Sequence, residues 1–328
     1  MIIPDFEQFN GQHCETTATG TLLKQIGIDL SEPMLFGLGE GLGYTLWQMK
    51  TMPLPFIGGR IKADKLTENI CNNLNLKLAV QETASKKKAW ENVKTQIDKG
   101  RSVGLKLDCY HLDYFTNKFH FAGHYVALFG YDEQFAYLVD TQQQGGQVKT
   151  SLSSLALARS EKGPMSSNNR SYVIARNGAG FDLQKAVKGA IQRNANDYLN
   201  PPIRNFGYKG ILKTSTEIEQ WFQQSQDVKN EFQLLATLME KAGTGGALFR
   251  NLYRDFLEES YELLQLEGLQ EAHGAFVEIA KQWQQVSELV FQAGETQQIE
   301  YIKQAAAVLA NLSEQERKAM TLLQSVTV

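Results

Sequence analysis

The chain has 328 residues, 42% hydrophobic and 21% charged, which is enough apolar material for two domains with their own cores. A formal net charge of −3 excludes a generic basic patch for nucleic acid or an anionic membrane. Three widely spaced cysteines, Cys14, Cys71 and Cys109, exclude a disulfide framework. With no basic leader at the start and no apolar run of about 18 residues, they point to a cytoplasmic protein without a membrane span.

In chain order, residues 15–26 read as a helix closed by Gly27, and Ser31-Glu32-Pro33 as the start of another. Gly37, Gly39, Gly41 and Gly43 then crowd one short stretch, ahead of a candidate strand over 44–49. A helix over 63–74 and a strand over 76–81 follow. Ser85 is placed to cap a helix over 86–98, which Gly100 stops. Apolar runs at 102–107, 125–129 and 135–139 read as strands, with weaker ones at 147–150 and 171–175. Helices followed by a mostly antiparallel sheet make an α+β domain, about 1–178.

The texture changes at Gly178 and Gly180. From there helical patterns run over 183–199, 216–223, 228–241, 247–266, 271–292, 296–310 and 313–324. Asn200-Pro201-Pro202 and Gly243-Thr244-Gly245-Gly246 punctuate them. The second domain, about 179–328, is therefore all-helical.

Chemistry concentrates in the first half. Cys14 opens a helix, where the dipole and free N–H groups favour a thiolate. His124 begins an apolar strand and Asp140 ends the next. A hairpin centred on Asp132 sets the two directly opposite each other, close enough for an imidazole–carboxylate hydrogen bond. Gln8, six residues before Cys14, offers an amide to a developing oxyanion. Singly, each also fits a blander role: a capping hydrophobe, a core histidine, a surface glutamine. Together they make a Cys–His–Asp set.

A glutamine, a helix-initiating cysteine, a distant strand histidine and an aspartate on the next strand follow the order of papain-like cysteine enzymes. The stretch from His124 to Asp132, with Asp140, is similar to the bacteriocin-processing (C39) branch. Gly11-Gln12-His13-Cys14, Ser31-Glu32, Phe36-Gly37-Leu38-Gly39-Glu40-Gly41-Leu42 and the His124 block resemble the N-terminal domain of the butirosin biosynthesis protein H family. Asn200-Pro201-Pro202, Gly207-Tyr208-Lys209-Gly210 and the segment from Gly243 to Arg250 resemble the helical domain of unknown function that follows it there.

The resemblance implies a papain-like catalytic domain over 1–178 and a helical domain over 179–328 that binds substrate or carrier, or caps the site. It implies acyl transfer in antibiotic biosynthesis. An acyl or aminoacyl group would move from a thioester to a small-molecule amine through an acyl-Cys14 intermediate, with His124 as base, Asp140 orienting it and Gln8 assisting. The donor is a carrier protein or a CoA thioester. Its phosphopantetheine belongs to the substrate, so no bound cofactor is expected. Neither nucleic acid nor membrane is an expected partner, and oligomeric state is not set by the sequence. Substrate contacts are expected from His13, Gly39, Gly41, Asp108 and Tyr110, and from Arg250, whose position behind a glycine-rich turn suits a phosphate. Asp108-Cys109-Tyr110-His111 with His120 is dense in ligand types but matches no standard zinc spacing, so no metal is expected. The same residues leave two alternatives open: a C39-like peptidase or amidohydrolase, and a non-catalytic binding protein on this scaffold.

Overall fold

Helix α1 (Cys14–Lys24) is built from threonines and small residues rather than from an apolar stripe, which suits a helix enclosed on all sides. In the computed structural model, which describes residues 1–48, 52–163 and 165–326, every residue from Cys14 to Leu23 is buried. The threonine hydroxyls find partners there. Thr17 donates to the His13 carbonyl, Thr21 to that of Thr17 and Thr16 to Glu32, while Thr19 meets Thr67 and Tyr172.

The chain forms two compact units. The first comprises Met1–Leu35 and Ala63–Phe181, the second Phe36–Lys62 and Asp182–Val328. The last crossing between the units lies at 181–182. The inserted segment, expected with the first domain, clusters with the helices instead.

The first unit carries a six-stranded antiparallel sheet, ordered β3-β8-β4-β5-β6-β7. The strands are β3 (Leu76–Gln81), β4 (Val103–Leu107), β5 (His124–Tyr131), β6 (Phe135–Val139), β7 (Gln147–Ser151) and β8 (Ser171–Arg176). Helix α1 lies against the middle strands, chiefly β5. Strand β5 is buried from His124 to Gly130, as its unbroken apolar run requires. Helices α3 (Lys65–Asn73) and α4 (Lys86–Ile97) fall where the pattern puts them, and the Ser85 hydroxyl accepts the Lys88 N–H. Helix α5 (Leu152–Ser160) is not evident from its three serines. Ser151 caps it through the Ser154 N–H.

The β5–β6 register differs from the expected one. Ala127 pairs with Val139 and Leu128 with Leu138, then a bulge shifts the pairing to Gly130–Tyr137 and Tyr131–Ala136. The turn is longer than a hairpin centred on Asp132, because the Asp132 carboxylate accepts the N–H groups of Gln134 and Phe135. Continued to the strand end, this register sets Asp140 opposite Val126, so His124 and Asp140 are diagonal rather than directly opposed. The offset of two residues keeps both on one face.

In the second unit, α2 (Glu32–Leu38) runs in from the first and leads to the hairpin β1 (Leu42–Trp47) and β2 (Phe56–Arg60). The strand expected over 44–49 is β1. Its expected last residue, Met49, lies outside the described residues. Strand β2 has weak strand character because of Gly58 and Gly59, but any Cβ at Gly59 would fall 2.3 Å from the Leu248 carbonyl. The hairpin is tied to α6 (Leu183–Leu199) by Asn194 donating to Leu42 O. Tyr44 and Thr214 share a hydroxyl hydrogen bond to α7 (Gly207–Gln224), and Leu46 N donates to Asn205 O.

Helix α7 starts nine residues ahead of the expected 216, because Gly207 and Gly210 act in packing. A Cβ at Gly210 would strike the Asn205 carbonyl and the Tyr44 ring. Helices α8 (Val228–Glu240), α9 (Arg250–Leu264) and α10 (Glu267–Thr296) follow. Helix α11 (Ile299–Val326) fuses two expected segments, since Leu309, Leu312, Met320 and Leu323 keep one buried face.

Between α8 and α9 the backbone is left-handed for five residues, Gly245 to Phe249. Three of these are not glycine, at about 1–2 kcal/mol each. The turn delivers Arg250 into the helical core. Its guanidinium is fully buried and bidentate with Glu316, which also accepts from Trp283 Nε1 and the Tyr198 hydroxyl.

Candidate active site

Cys14 is the first residue of α1, with His13 as its extended N-cap. The strand entering it is held by Glu32. That buried carboxylate accepts the N–H groups of Gln12 and His13 and the Thr16 hydroxyl. Glu32 therefore fixes the backbone on which the thiol is presented. The sequence marks it only as a helix start.

Across the sheet edge, His124 Nε2 lies 2.8 Å from Asp140 Oδ2. Cys14 acts on the same imidazole, and with Nε2 engaged by Asp140 the nitrogen that remains toward the sulfur is Nδ1. Burial disfavours the imidazolium. The Asp140 carboxylate and then Cys14 outweigh it and raise the His124 pKa to about 10. Asp140 is held in turn: the Tyr114 hydroxyl donates to Oδ2 at 2.7 Å and the Thr141 N–H to Oδ1 at 2.7 Å. Burial, with Asp140 beside it, lifts the Tyr114 pKa well above its ordinary value, so it stays a donor. The Phe115 ring meets the imidazole edge-on at 5.4 Å. Tyr114 and Phe115 sit in the β4–β5 loop, whose sequence carries no local sign of either role.

The Gln8 amide donates to Asn10 Oδ1 and rests against Gly146, whose carbonyl accepts the Asp140 N–H. Gln8 thus lies beside the turn that holds the Asp140 backbone. His13 is buried, and its backbone serves Glu32 and Thr17.

Asp108 was expected at a substrate. It is buried, and its oxygens are taken by Tyr110 N, Phe121 N and His120 Nδ1, so it shapes the loop instead. Tyr110 stacks on His120 with ring centroids 4.0 Å apart. Gly39 and Gly41 belong to the second unit. There the Gly41 N–H closes α2 on the Phe36 carbonyl, and a Cβ would meet Phe36 at 2.7 Å. Arg250, also expected at a substrate, is committed within the helical core. Its five N–H groups go to Glu316 Oε1 and Oε2, the Gly59 and Leu248 carbonyls and the Tyr198 hydroxyl, leaving none for a phosphate.

Cys71 and Cys109 carry no comparable setting. Burial pushes both thiols up to about 12, with Glu68 adding at Cys71, and Asp108 and Asp140 at Cys109. All three cysteines are free. No described helix is long and apolar enough to cross a membrane.

A helix with cysteine at its start, packed on an antiparallel sheet whose strand supplies the histidine, defines a papain-like domain. Residues 13–141 match the butirosin biosynthesis protein H N-terminal domain, and residues 153–323 match a domain of unknown function, DUF4872. The chain belongs to the family that joins these two domains, which relates it to butirosin biosynthesis. No curated relative matches it.

Proposed function

We propose that this protein is a cysteine-dependent acyltransferase of antibiotic biosynthesis, moving an acyl or aminoacyl group from a thioester to a small-molecule amine. The observation that carries the reading is the chain of side chains from Tyr114 through Asp140 and His124 to Cys14. A raised His124 keeps an imidazolium beside Cys14, which suits attack by the sulfur on an acyl carbonyl.

Cys14 Sγ attacks the thioester carbon, and the tetrahedral intermediate expels the donor thiolate. His124 protonates that leaving group and becomes neutral imidazole. The amine then attacks the acyl-Cys14 thioester, His124 takes its proton, and the amide leaves as the thiolate reforms. The Cys14 N–H, with Gln8 swung from Asn10, would hold the oxyanion in both steps. One thioester replaces another, so the first step is nearly isoenergetic and needs no nucleotide. A carrier-protein or CoA thioester supplies the acyl group, and no resident cofactor is invoked.

The test is intact mass spectrometry after incubation with a panel of acyl-CoA and acyl-carrier thioesters. The wild-type protein should gain the acyl mass and Cys14→Ala should not. Added amines should discharge it as amide. Discharge to free acid alone, whatever amine is offered, would make the protein a hydrolase. No acyl adduct from any donor would refute the thioester reading.

A further inference from the structure

The β4–β5 loop and the end of α5 bring together three ligand-bearing side chains outside the Cys14 site. His111 Nε2 lies 2.7 Å from Glu161 Oε2, and one ligand atom each of His111, His120 and Glu161 lies within 4.8 Å of the others. The geometry points to a divalent transition-metal site, of the zinc type, formed by His111, His120 and Glu161.

Several features make this more than a surface ion pair. His120 is held from behind: its Nδ1 meets Asp108 Oδ2 at 3.1 Å, which leaves Nε2 as the ligand atom. A carboxylate behind the ring is the arrangement that fixes tautomer and orientation in histidine-ligated metal sites. The same Asp108 is anchored by the N–H groups of Tyr110 and Phe121, so the support is rigid. The Tyr110 ring stacks on His120 and meets His111 edge-on at 5.2 Å, walling both imidazoles. Glu161 Oε1 is fixed by the Lys162 N–H, and its other oxygen is turned to His111.

Tetrahedral ligands at about 2.0–2.1 Å from zinc stand roughly 3.4 Å apart. That value lies between the 2.7 Å contact and the 4.8 Å limit. The metal would replace the proton now shared by His111 and Glu161. The His120 side chain is 59% exposed, which gives the ion an entry path to the ring that Asp108 and Tyr110 hold. Two imidazoles and one carboxylate suit zinc, cobalt or nickel over magnesium or calcium. Water would take the fourth position. The ion would staple both ends of the loop that bears Tyr114 and Phe115 to α5, which makes it structural and independent of the acyltransferase reading.

The test uses the full, untagged chain stripped with a chelator, then titrated with Zn²⁺ and separately with Co²⁺. One equivalent of each should bind, with visible Co²⁺ absorption of a low-coordinate nitrogen–oxygen site and no competition from Mg²⁺. His120→Ala and Glu161→Gln, checked for unchanged circular dichroism, should each weaken binding at least tenfold. Hydrogen exchange across 109–121 should slow on Zn²⁺ addition. Absence of a saturable equivalent in the wild-type protein overturns the proposal. So does equal affinity in both variants.

Discussion

Asp140→Asn tests the candidate site at one atom. Asp140 Oδ1 accepts the Thr141 N–H, a fixed backbone donor. Asparagine must keep its carbonyl there, since its NH₂ would face another donor. The NH₂ then falls at the Oδ2 position, against His124 Nε2 and the Tyr114 hydroxyl. Nε2 becomes an acceptor, the ring proton moves to Nδ1, and that nitrogen no longer takes a proton on the Cys14 side. A triad aspartate replaced by its amide loses about 10⁴ in kcat, or about 5.5 kcal/mol of transition-state stabilisation. The variant also removes the largest influence raising His124, so its pKa should fall from about 10 toward about 6.5. Two assays read these effects: the rate of acyl-enzyme formation and discharge, and the NMR titration of the His124 ring. Activity within tenfold of wild type, or an unchanged His124 midpoint, would refute the reasoning.

Other outcomes follow from the same geometry. A thiol-alkylating agent applied to the native protein near neutral pH should modify Cys14 well before Cys71 and Cys109, whose thiols burial holds near 12. Peptide mapping that shows equal labelling would count against Cys14 as nucleophile. Arg250→Ala should destabilise the protein by about 3–5 kcal/mol in chemical denaturation, because it strands a fully buried Glu316. Arg250→Met with Glu316→Gln, which removes the stranded charge but keeps an acceptor for Trp283 Nε1 and the Tyr198 hydroxyl, should recover much of that loss, and a double variant no better than the single would show that the stranded charge is not the cause. His124 is raised on folding, so its contribution is complete below about pH 6.5 and is lost as pH climbs through about 10. Denaturation midpoints should fall across that window by more in wild type than in His124→Ala.

How much was legible depended on the range of the interaction. The Ser85 cap, strand β5 and helix α6 rest on neighbouring residues and emerge from the pattern. The same-face relation of His124 and Asp140 survived a wrong register because strand parity repeats every two residues, so a two-residue error preserved it. Tyr114 escaped because its partner is 26 residues away across an irregular loop. Arg250 misled for the opposite reason. A glycine-rich turn ahead of an arginine reads locally as an anion site, but the anion is Glu316, 66 residues on. Glu161 closes the His111 cluster from 50 residues away, which no ligand-spacing rule covers.

The chain passes between its two units three times, at 35–36, 62–63 and 181–182. During synthesis the β1–β2 hairpin therefore emerges long before the helices that complete it. Tyr44 must wait for Thr214, Leu42 for Asn194 and Leu46 for Asn205. Until then an apolar two-stranded ribbon is unsheltered, the kind of element that does not hold shape in isolation. A ribosome-bound fragment ending near residue 181 would thus carry an unfinished hairpin whatever the state of its sheet. The two units cannot be inherited, swapped or expressed as separate cassettes by a single cut. A working division must graft residues 36–62 onto the C-terminal portion and reseal the gap between 35 and 63.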